Sequence, residues 1–274
     1  MLFDYHMHSN FSADSETPME EMIQSSINKG LTEICFTEHI DYEYPDPTIS
    51  FDLDIPAYTQ ELNRMREKYK DIITIKKGVE LGVQPYLLER YETLMKAEDF
   101  DFVICSIHTA DKKDLHSGDF FANRTPEDAY QLYYEELLYC VKNFKQYNIL
   151  GHIDLVKRYK ALDSKENFHD ILSEIFKVII PDGKGIELNA SGYAYGLGGP
   201  MPSKDILELY KECGGEIVTI GSDAHVPHHV GYNFTEIIEL IKSTGFKYIT
   251  TFDQMKPSFH PISKLNKIQK VSEI

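Results

Sequence analysis

The chain begins with Leu2-Phe3-Asp4-Tyr5-His6-Met7-His8, a short β-rich run that stops on two histidines one residue apart. Residues i and i+2 of a strand share a face, so both imidazoles leave the pleat on the same side. The arrangement recurs along the chain. Further strand-like runs at 33–36, 74–79, 102–105, 149–150, 185–188 and 216–220 end in Thr37-Glu38-His39, Gly78-Val79-Glu80, Ser106-Ile107-His108, Gly151-His152-Ile153-Asp154, Glu187-Leu188-Asn189 and Gly221-Ser222-Asp223-Ala224-His225. A last run is expected at 247–251. Amphipathic stretches near 18–29, 56–70, 84–97, 125–146, 165–180, 203–213 and 233–243 separate the runs. Thr17-Pro18 and Thr125-Pro126-Glu127-Asp128 have the form of helix starts, a capping hydroxyl followed by proline and acids.

Strict alternation of strand and helix implies parallel strands, in a barrel or a doubly wound sheet. No G-x-G-x-x-G or Walker loop follows any strand, which removes the usual reason for an open nucleotide-binding sheet. Gly196-Leu197-Gly198-Gly199-Pro200 is the nearest approach and reads as a loop. In a parallel barrel the active site lies on the C-terminal rim, where strand-end side chains converge from distant parts of the sequence.

The 274 residues, 42% hydrophobic and 12% aromatic, fit one barrel, and no repeat or linker divides them, so residues 1–274 read as a single domain. A formal net charge of −16 and a pI near 5.1 argue against a nucleic-acid or anionic-membrane surface. A phosphorylated substrate remains compatible if bound divalent cations supply local positive charge. Cys35, Cys105, Cys140 and Cys213 form no CxxC pair and read as reduced thiols. With neither a signal peptide at the start nor an apolar run of membrane-spanning length, a cytoplasmic location is expected.

A lone strand-end histidine is ordinarily a packing or hydrogen-bonding residue. Histidine, glutamate or aspartate at six of seven strand exits is a different observation. Imidazole suits zinc, manganese and iron, and a carboxylate between two ions bridges them. These exits hold more ligands than one ion uses, so a cluster of two or three is expected.

Together, His6-x-His8, Glu38-His39, Gly78-Val79-Glu80, Ser106-Ile107-His108, Gly151-His152-x-Asp154 and Gly221-Ser222-Asp223-Ala224-His225 resemble the motifs of the polymerase and histidinol phosphatase (PHP) superfamily. With the following Val230-Gly231 and the chain length, they look most like its stand-alone histidinol-phosphate phosphatases. The resemblance covers residues 1 to about 260. It implies a distorted (β/α)7 TIM-like barrel holding three divalent ions (Zn, Mn or Fe). One ion would bind His6, His8, Glu80 and Asp223; a second would share Glu80 and add His108 and His152; a third would take Asp14, His39 and His225. Asp14, on residue grounds alone, is a loop residue. The implied reaction is hydrolysis of L-histidinol phosphate to L-histidinol and phosphate, in histidine biosynthesis, by direct attack of a metal-bound water or hydroxide. Asp223 or His225 would handle its proton.

For the substrate, Arg158 is the expected forked phosphate anchor, with Lys157 beside it. His116, His228 and His229 lie on rim loops as further candidate contacts. Asp41, Glu43, Asp111 and Asp114 would form an acidic pocket for the cationic leaving group, and Tyr42, Tyr44, Tyr193 and Tyr195 would wall its ring. His169 and His260 read as surface or packing residues. The competing readings are a phosphoesterase for another small ester or nucleotide, an amidohydrolase, and a non-catalytic metal-binding module. The amidohydrolase would need a bridging lysine where this chain has Glu80 and His108. Oligomeric state leaves no sign in the sequence.

Overall fold

In a computed structural model, residues 1–159 and 166–265 are described. The strands are β1 (Phe3–Met7), β2 (Glu33–Ile40), β3 (Thr74–Gly82), β4 (Phe102–Ser106), β5 (Thr109–Ala110), β6 (Lys113–Asp114), β7 (Ile149–Leu150), β8 (Gly185–Asn189), β9 (Val218–Gly221), β10 (Tyr248–Asp253) and β11 (Lys256–Pro261). The helices are α1 (Met19–Asn28), α2 (Ile55–Tyr69), α3 (Leu88–Ala97), α4 (Pro126–Asn143), α5 (His169–Ile179), α6 (Ser191–Ala194), α7 (Lys204–Glu212) and α8 (Phe234–Ser243).

Seven parallel strands, in the order β1-β2-β3-β4-β7-β8-β9, form a single nearly closed barrel. The first and last strands meet just past the end of β9: Asp223 N–H donates to the His6 carbonyl at 2.7 Å and His8 N–H to the Ala224 carbonyl at 2.9 Å. Most barrel strands are buried on both faces, as parallel strands covered by helices must be. The helices supply matching stripes. Leu172, Ile175, Phe176 and Ile179 of α5 repeat at i, i+3, i+4 and i+7 and are buried, each worth about 1.5–3 kcal/mol when removed from water.

Several sequence expectations change in detail. Barrel strands β1 to β4 and β8 run one to four residues further than expected, so His6, His39, Glu80 and Asn189 belong to the ladder itself, while His8, His108, His152 and Asp223 follow the strand ends. The 247–251 run forms β10, but it pairs antiparallel with β11 rather than joining the barrel. That hairpin docks near the starts of β4 and β7, where Met255 N–H donates to the Asp101 carbonyl and Asn148 Nδ2 donates to the Met255 carbonyl. Thr125 caps α4 through Asp128 N–H as expected. Thr17 does not cap α1; its hydroxyl donates instead to the His225 carbonyl at 2.9 Å, tying the first rim loop to the last. The helix expected over 165–180 begins at His169, and its expected first position, 165, lies outside the described residues. Cys35, Cys105, Cys140 and Cys213 are free thiols. Among the described residues no helix is long and apolar enough to cross a membrane.

Candidate metal centre

The parallel register places His39 of β2 directly beside Glu80 of β3, and the barrel's curvature brings the other strand ends around that carboxylate. Glu80 is fully buried and five imidazoles face it. Its Oε2 lies 3.0 Å from His6 Nε2, 3.5 Å from His8 Nε2 and 3.3 Å from His39 Nδ1. Its Oε1 lies 2.9 Å from His152 Nε2 and 3.3 Å from His108 Nε2, and accepts the Ser106 hydroxyl at 2.6 Å. Asp223 Oδ1 is 3.6 Å from both His6 Nε2 and His8 Nε2. Asp14 Oδ2 is 3.4 Å from His39 Nε2 and 3.2 Å from His225 Nε2.

The far sides of these rings are held by a second layer. His6 Nδ1 donates to Glu187 Oε1 at 2.7 Å, and His108 Nδ1 donates to Asp41 Oδ2 at 2.7 Å. His8 Nδ1 meets Ser12 Oγ at 3.1 Å, and His225 Nδ1 meets the Asp223 carbonyl at 3.0 Å. Partners of this kind fix ring orientation and tautomer in metal sites. Two glycines make the layer possible. A Cβ on Gly221 would lie 2.1 Å from Glu187 Oε1 and 2.3 Å from His6 Cβ, and one on Gly82 would lie 2.0 Å from Asp41 Oδ1. Asp223 and His152 have positive φ, +55° and +21°, a conformation non-glycine residues adopt at a cost that functional sites tolerate.

Electrostatically the cluster is tightly coupled. Burial would depress His6, but Glu187, Glu80 and Asp223 outweigh it and raise its pKa well above the usual value. The same contest, with Asp41 and Glu80 as the carboxylates, raises His108, and with Asp14 and Glu80 it pushes His39 up to about 9. Burial would raise Asp223; His6, His8 and Arg158 instead hold it well below the usual carboxylate range.

The donor set fits divalent cations. His8 Nε2 and His225 Nε2, both facing the cluster, are buried without a hydrogen-bond partner, a costly condition for imidazole nitrogens that a coordinated cation relieves. Three-residue groups with ligand atoms mutually within 4.8 Å are His6/His8/Glu80, Glu80/His108/His152, His8/His39/His225, His6/His152/Asp223 and His39/Asp41/His108. The first two lie within sets expected from the sequence. In the third, His8 stands where Asp14 was expected, although Asp14 touches both other members.

The cluster opens into a cleft of about 610 Å³. Arg158, His116, His229, Asp114, Tyr44 and Tyr195 line it, as expected of rim residues. Arg158 is largely buried; its Nη2 donates to Ser191 Oγ at 2.7 Å and Asp223 Oδ2 at 3.0 Å, while its Nε is buried without a partner. Other expectations need correction. Lys157 points away from the cleft, bound to Ser203 Oγ at 2.7 Å and Asp154 Oδ2 at 3.2 Å. His228 is exposed and does not line the cleft. Asp41 lines the cleft, but its Oδ2 is taken up by His108 Nδ1 and so orients that ring; Asp111 is ion-paired with Arg124, and Glu43 is outside the lining. Tyr42 packs under the Arg90 guanidinium, and Tyr193 lines a neighbouring pocket. His169 pairs with Asp205 at 3.4 Å, and His260 packs against Phe3, both outside the cleft.

Glu187, Ser12, Ser106 and Ser191 carry roles in the site that the sequence reading did not assign. Part of the missed signal is period two. Glu187 precedes Asn189 by two residues and Ser106 precedes His108 by two, so each shares a strand face with a motif residue.

Comparison with known proteins agrees with this geometry. A family model described as the PHP domain matches residues 4–191. The histidinol-phosphatase of Lactococcus lactis subsp. lactis is 36% identical over 262 residues, covering 92% of this chain and 95% of the relative. A Clostridium acetobutylicum protein named "Probable histidinol-phosphatase" is 30% identical over 254 residues, covering 90% and 95%. The crystal structure of histidinol phosphate phosphatase from Lactococcus lactis subsp. lactis, complexed with zinc, L-histidinol and phosphate, superposes with a TM-score of 0.86 at 34% identity, covering 94% of this chain and 98% of that one. With its histidines and carboxylates gathered at the strand ends of a seven-stranded barrel, and with relatives matched over nearly its whole length, this chain belongs to the PHP domain family.

Proposed function

We propose that the chain is a metal-dependent phosphomonoesterase that hydrolyses L-histidinol phosphate to L-histidinol and phosphate, a step of histidine biosynthesis. The observation that carries this reading is the buried ring of imidazoles around Glu80, opening into a cleft that also holds Arg158. The Lactococcus relative, solved with zinc, L-histidinol and phosphate, supports the substrate.

Three divalent ions would be held by His6, His8, Glu80 and Asp223; by Glu80, His108 and His152; and by Asp14, His39 and His225. Zinc is favoured by the relative's complex and by the imidazole-rich donor set, and manganese and iron suit the same ligands. Ions held there would supply Lewis-acid chemistry, a lowered pKa for water and neutralisation of phosphate oxygens. The chain's own residues do the rest. Arg158, with its unpartnered Nε, grips a phosphate oxygen. Asp223 is held ionised by its cationic neighbours; Arg158 and Ser191 fix Oδ2 and leave Oδ1 facing His6 and His8, where it would be the ligand oxygen. His225, tied at Nδ1 to the Asp223 carbonyl, keeps that carboxylate aimed at the cluster. At the leaving-group end, Asp114 is the acid of the expected pocket that lines the cleft without being paired to a histidine ring, and Tyr44, Tyr159 and Tyr195 wall the same space. Residues this specialised for a small ester leave little place for a long polymer, in keeping with the charge of −16.

Steady-state kinetics on L-histidinol phosphate against a panel of phosphomonoesters and diesters, paired with metal analysis, tests the proposal. A kcat/KM highest for L-histidinol phosphate supports it. Preference for a diester, or absence of turnover after zinc or manganese reconstitution, overturns it.

A further inference from the structure

His8 differs from the other strand-end histidines that have a side-chain partner behind them. His6 and His108 rest directly on carboxylates, whereas His8 rests on a serine hydroxyl, which both donates and accepts. The direction of that hydroxyl therefore decides which nitrogen of His8 carries hydrogen. Ser12, Ser9, Glu38 and His8 are all buried.

With Glu38 accepting at both oxygens, as its contacts with Ser9 N–H indicate, the hydrogen-bond inventory leaves Ser12 one arrangement. Its Oγ lies 2.6 Å from Glu38 Oε2, the shortest of its contacts and the one to an acceptor, so its hydrogen goes there. Its oxygen accepts His39 N–H at 3.0 Å and has one lone pair remaining, which faces His8 Nδ1 at 3.1 Å. Were that nitrogen bare, two acceptors would confront each other in a buried space. Glu38 is fixed in turn: Ser9 N–H reaches both its oxygens, at 3.2 and 3.1 Å, and the Ser9 hydroxyl donates to Oε1 at 2.6 Å. The His8 ring is also clamped in plane between His39 and His225, each with its centroid 4.2 Å away.

We infer that Ser12, held by Glu38, is a positioning residue that keeps hydrogen on His8 Nδ1 and presents Nε2 as a bare lone pair to a divalent ion. Glu38 lies on β2, and Ser12 lies on the loop after β1. The glutamate of the Glu38-His39 pair thus acts on a histidine of another strand instead of binding an ion itself. The inference rests on the proposed ligand role of His8.

The test is the zinc affinity of the full chain, read by competition with a chromophoric chelator. Ser12→Ala should weaken one class of zinc site by about 10–100-fold, the range for loss of an outer-layer partner. Ser12→Thr keeps the hydroxyl and should restore most of the affinity. Glu38→Gln puts an amide donor against Ser12, turns its hydrogen toward His8 Nδ1, and should weaken the same site. Because both changes act along one path, the double variant should bind no more weakly than the worse single one. Long-range 1H–15N spectra of the chelated wild-type protein should show His8 protonated on Nδ1, a readout that needs no variant to fold. Wild-type zinc affinity in Ser12→Ala, losses that add in the double variant, or an Nε2–H tautomer in the wild type would each overturn the inference. His8→Ala separates the two levels: if it keeps full zinc content, the ligand reading fails; if it loses zinc while Ser12→Ala does not, the relay alone fails.

Discussion

Replacing Arg158 by lysine isolates the phosphate anchor. The guanidinium is largely buried, donates through Nη2 to Ser191 and Asp223, lies 4.1 Å over the Tyr195 ring, and keeps Nε buried without a partner, and the side chain lines the cleft. Lysine retains the positive charge beside Asp223 but has no planar fork, so the variant removes the second donor while sparing the ion pair. A hydrogen bond to a charged group contributes about 1.5–3 kcal/mol. At about 1.4 kcal/mol per factor of ten, losing it corresponds to roughly 10- to 150-fold. We expect kcat/KM for L-histidinol phosphate to fall by that factor, and the inhibition constant of inorganic phosphate to rise by the same factor, with zinc content unchanged. Steady-state kinetics with phosphate as competitive inhibitor, alongside metal analysis, makes the measurement. If Arg158 served only to hold Asp223, a role the lysine keeps, phosphate inhibition would stay at the wild-type level. That outcome would refute the anchor role.

His8→Ala or Asp223→Asn should abolish turnover while leaving the circular dichroism spectrum unchanged; near wild-type rates in either would show the ligand assignment to be wrong. Asp114→Asn should raise KM for L-histidinol phosphate about tenfold, the weight of one charge-assisted contact, and leave p-nitrophenyl phosphate unaffected. An equal loss on both substrates would reduce Asp114 to its second task, accepting the His116 and Ser117 N–H groups. Zinc uptake by the chelated protein at pH 7 should release protons, because nearby carboxylates outweigh burial and keep His6, His39 and His108 protonated until a cation displaces the hydrogen. Apparent zinc affinity should accordingly rise with pH between 6 and 9, measured in weak buffer with an indicator dye; a flat profile would contradict those raised values. Gly221→Ala forces a Cβ to within 2.1 Å of Glu187 Oε1, and should cost about 1–3 kcal/mol of stability by thermal melting together with part of the bound zinc.

The barrel and the inner ring of the site were legible because both follow from local periodicity. Each strand is short, apolar and followed by an amphipathic helix, and each motif sits where a strand ends, so parallel topology alone carries His6, Glu80, His152 and Asp223 to one rim. The β10–β11 hairpin was less legible, since Lys256–Pro261 has two prolines and a largely exposed face that do not resemble a buried strand. Asp14 was visible only through the resemblance. It lies on a loop, and its approach to His39 and His225 depends on how that loop folds back.

The second layer was illegible for a different reason. Glu38 stands next to His39 in sequence and looks like a fellow ligand, yet successive strand residues point to opposite faces, so it turns away from the ring and toward Ser9 and Ser12. Asp41, two residues beyond His39, keeps the inward face and meets His108 from a strand two places away. Glu187 reaches His6 across the barrel seam, where β8 and β1 are far apart in sequence and separated only by β9. Which carboxylate binds an ion and which orients a ring is therefore set by strand-face parity and by cross-barrel neighbours. Parity can be read from a sequence once strand boundaries are known to the residue, whereas the cross-barrel pairing also needs the register. An error of one residue in either exchanges Glu38 for His39 as the inward group, and with it the assignment of ligand and support.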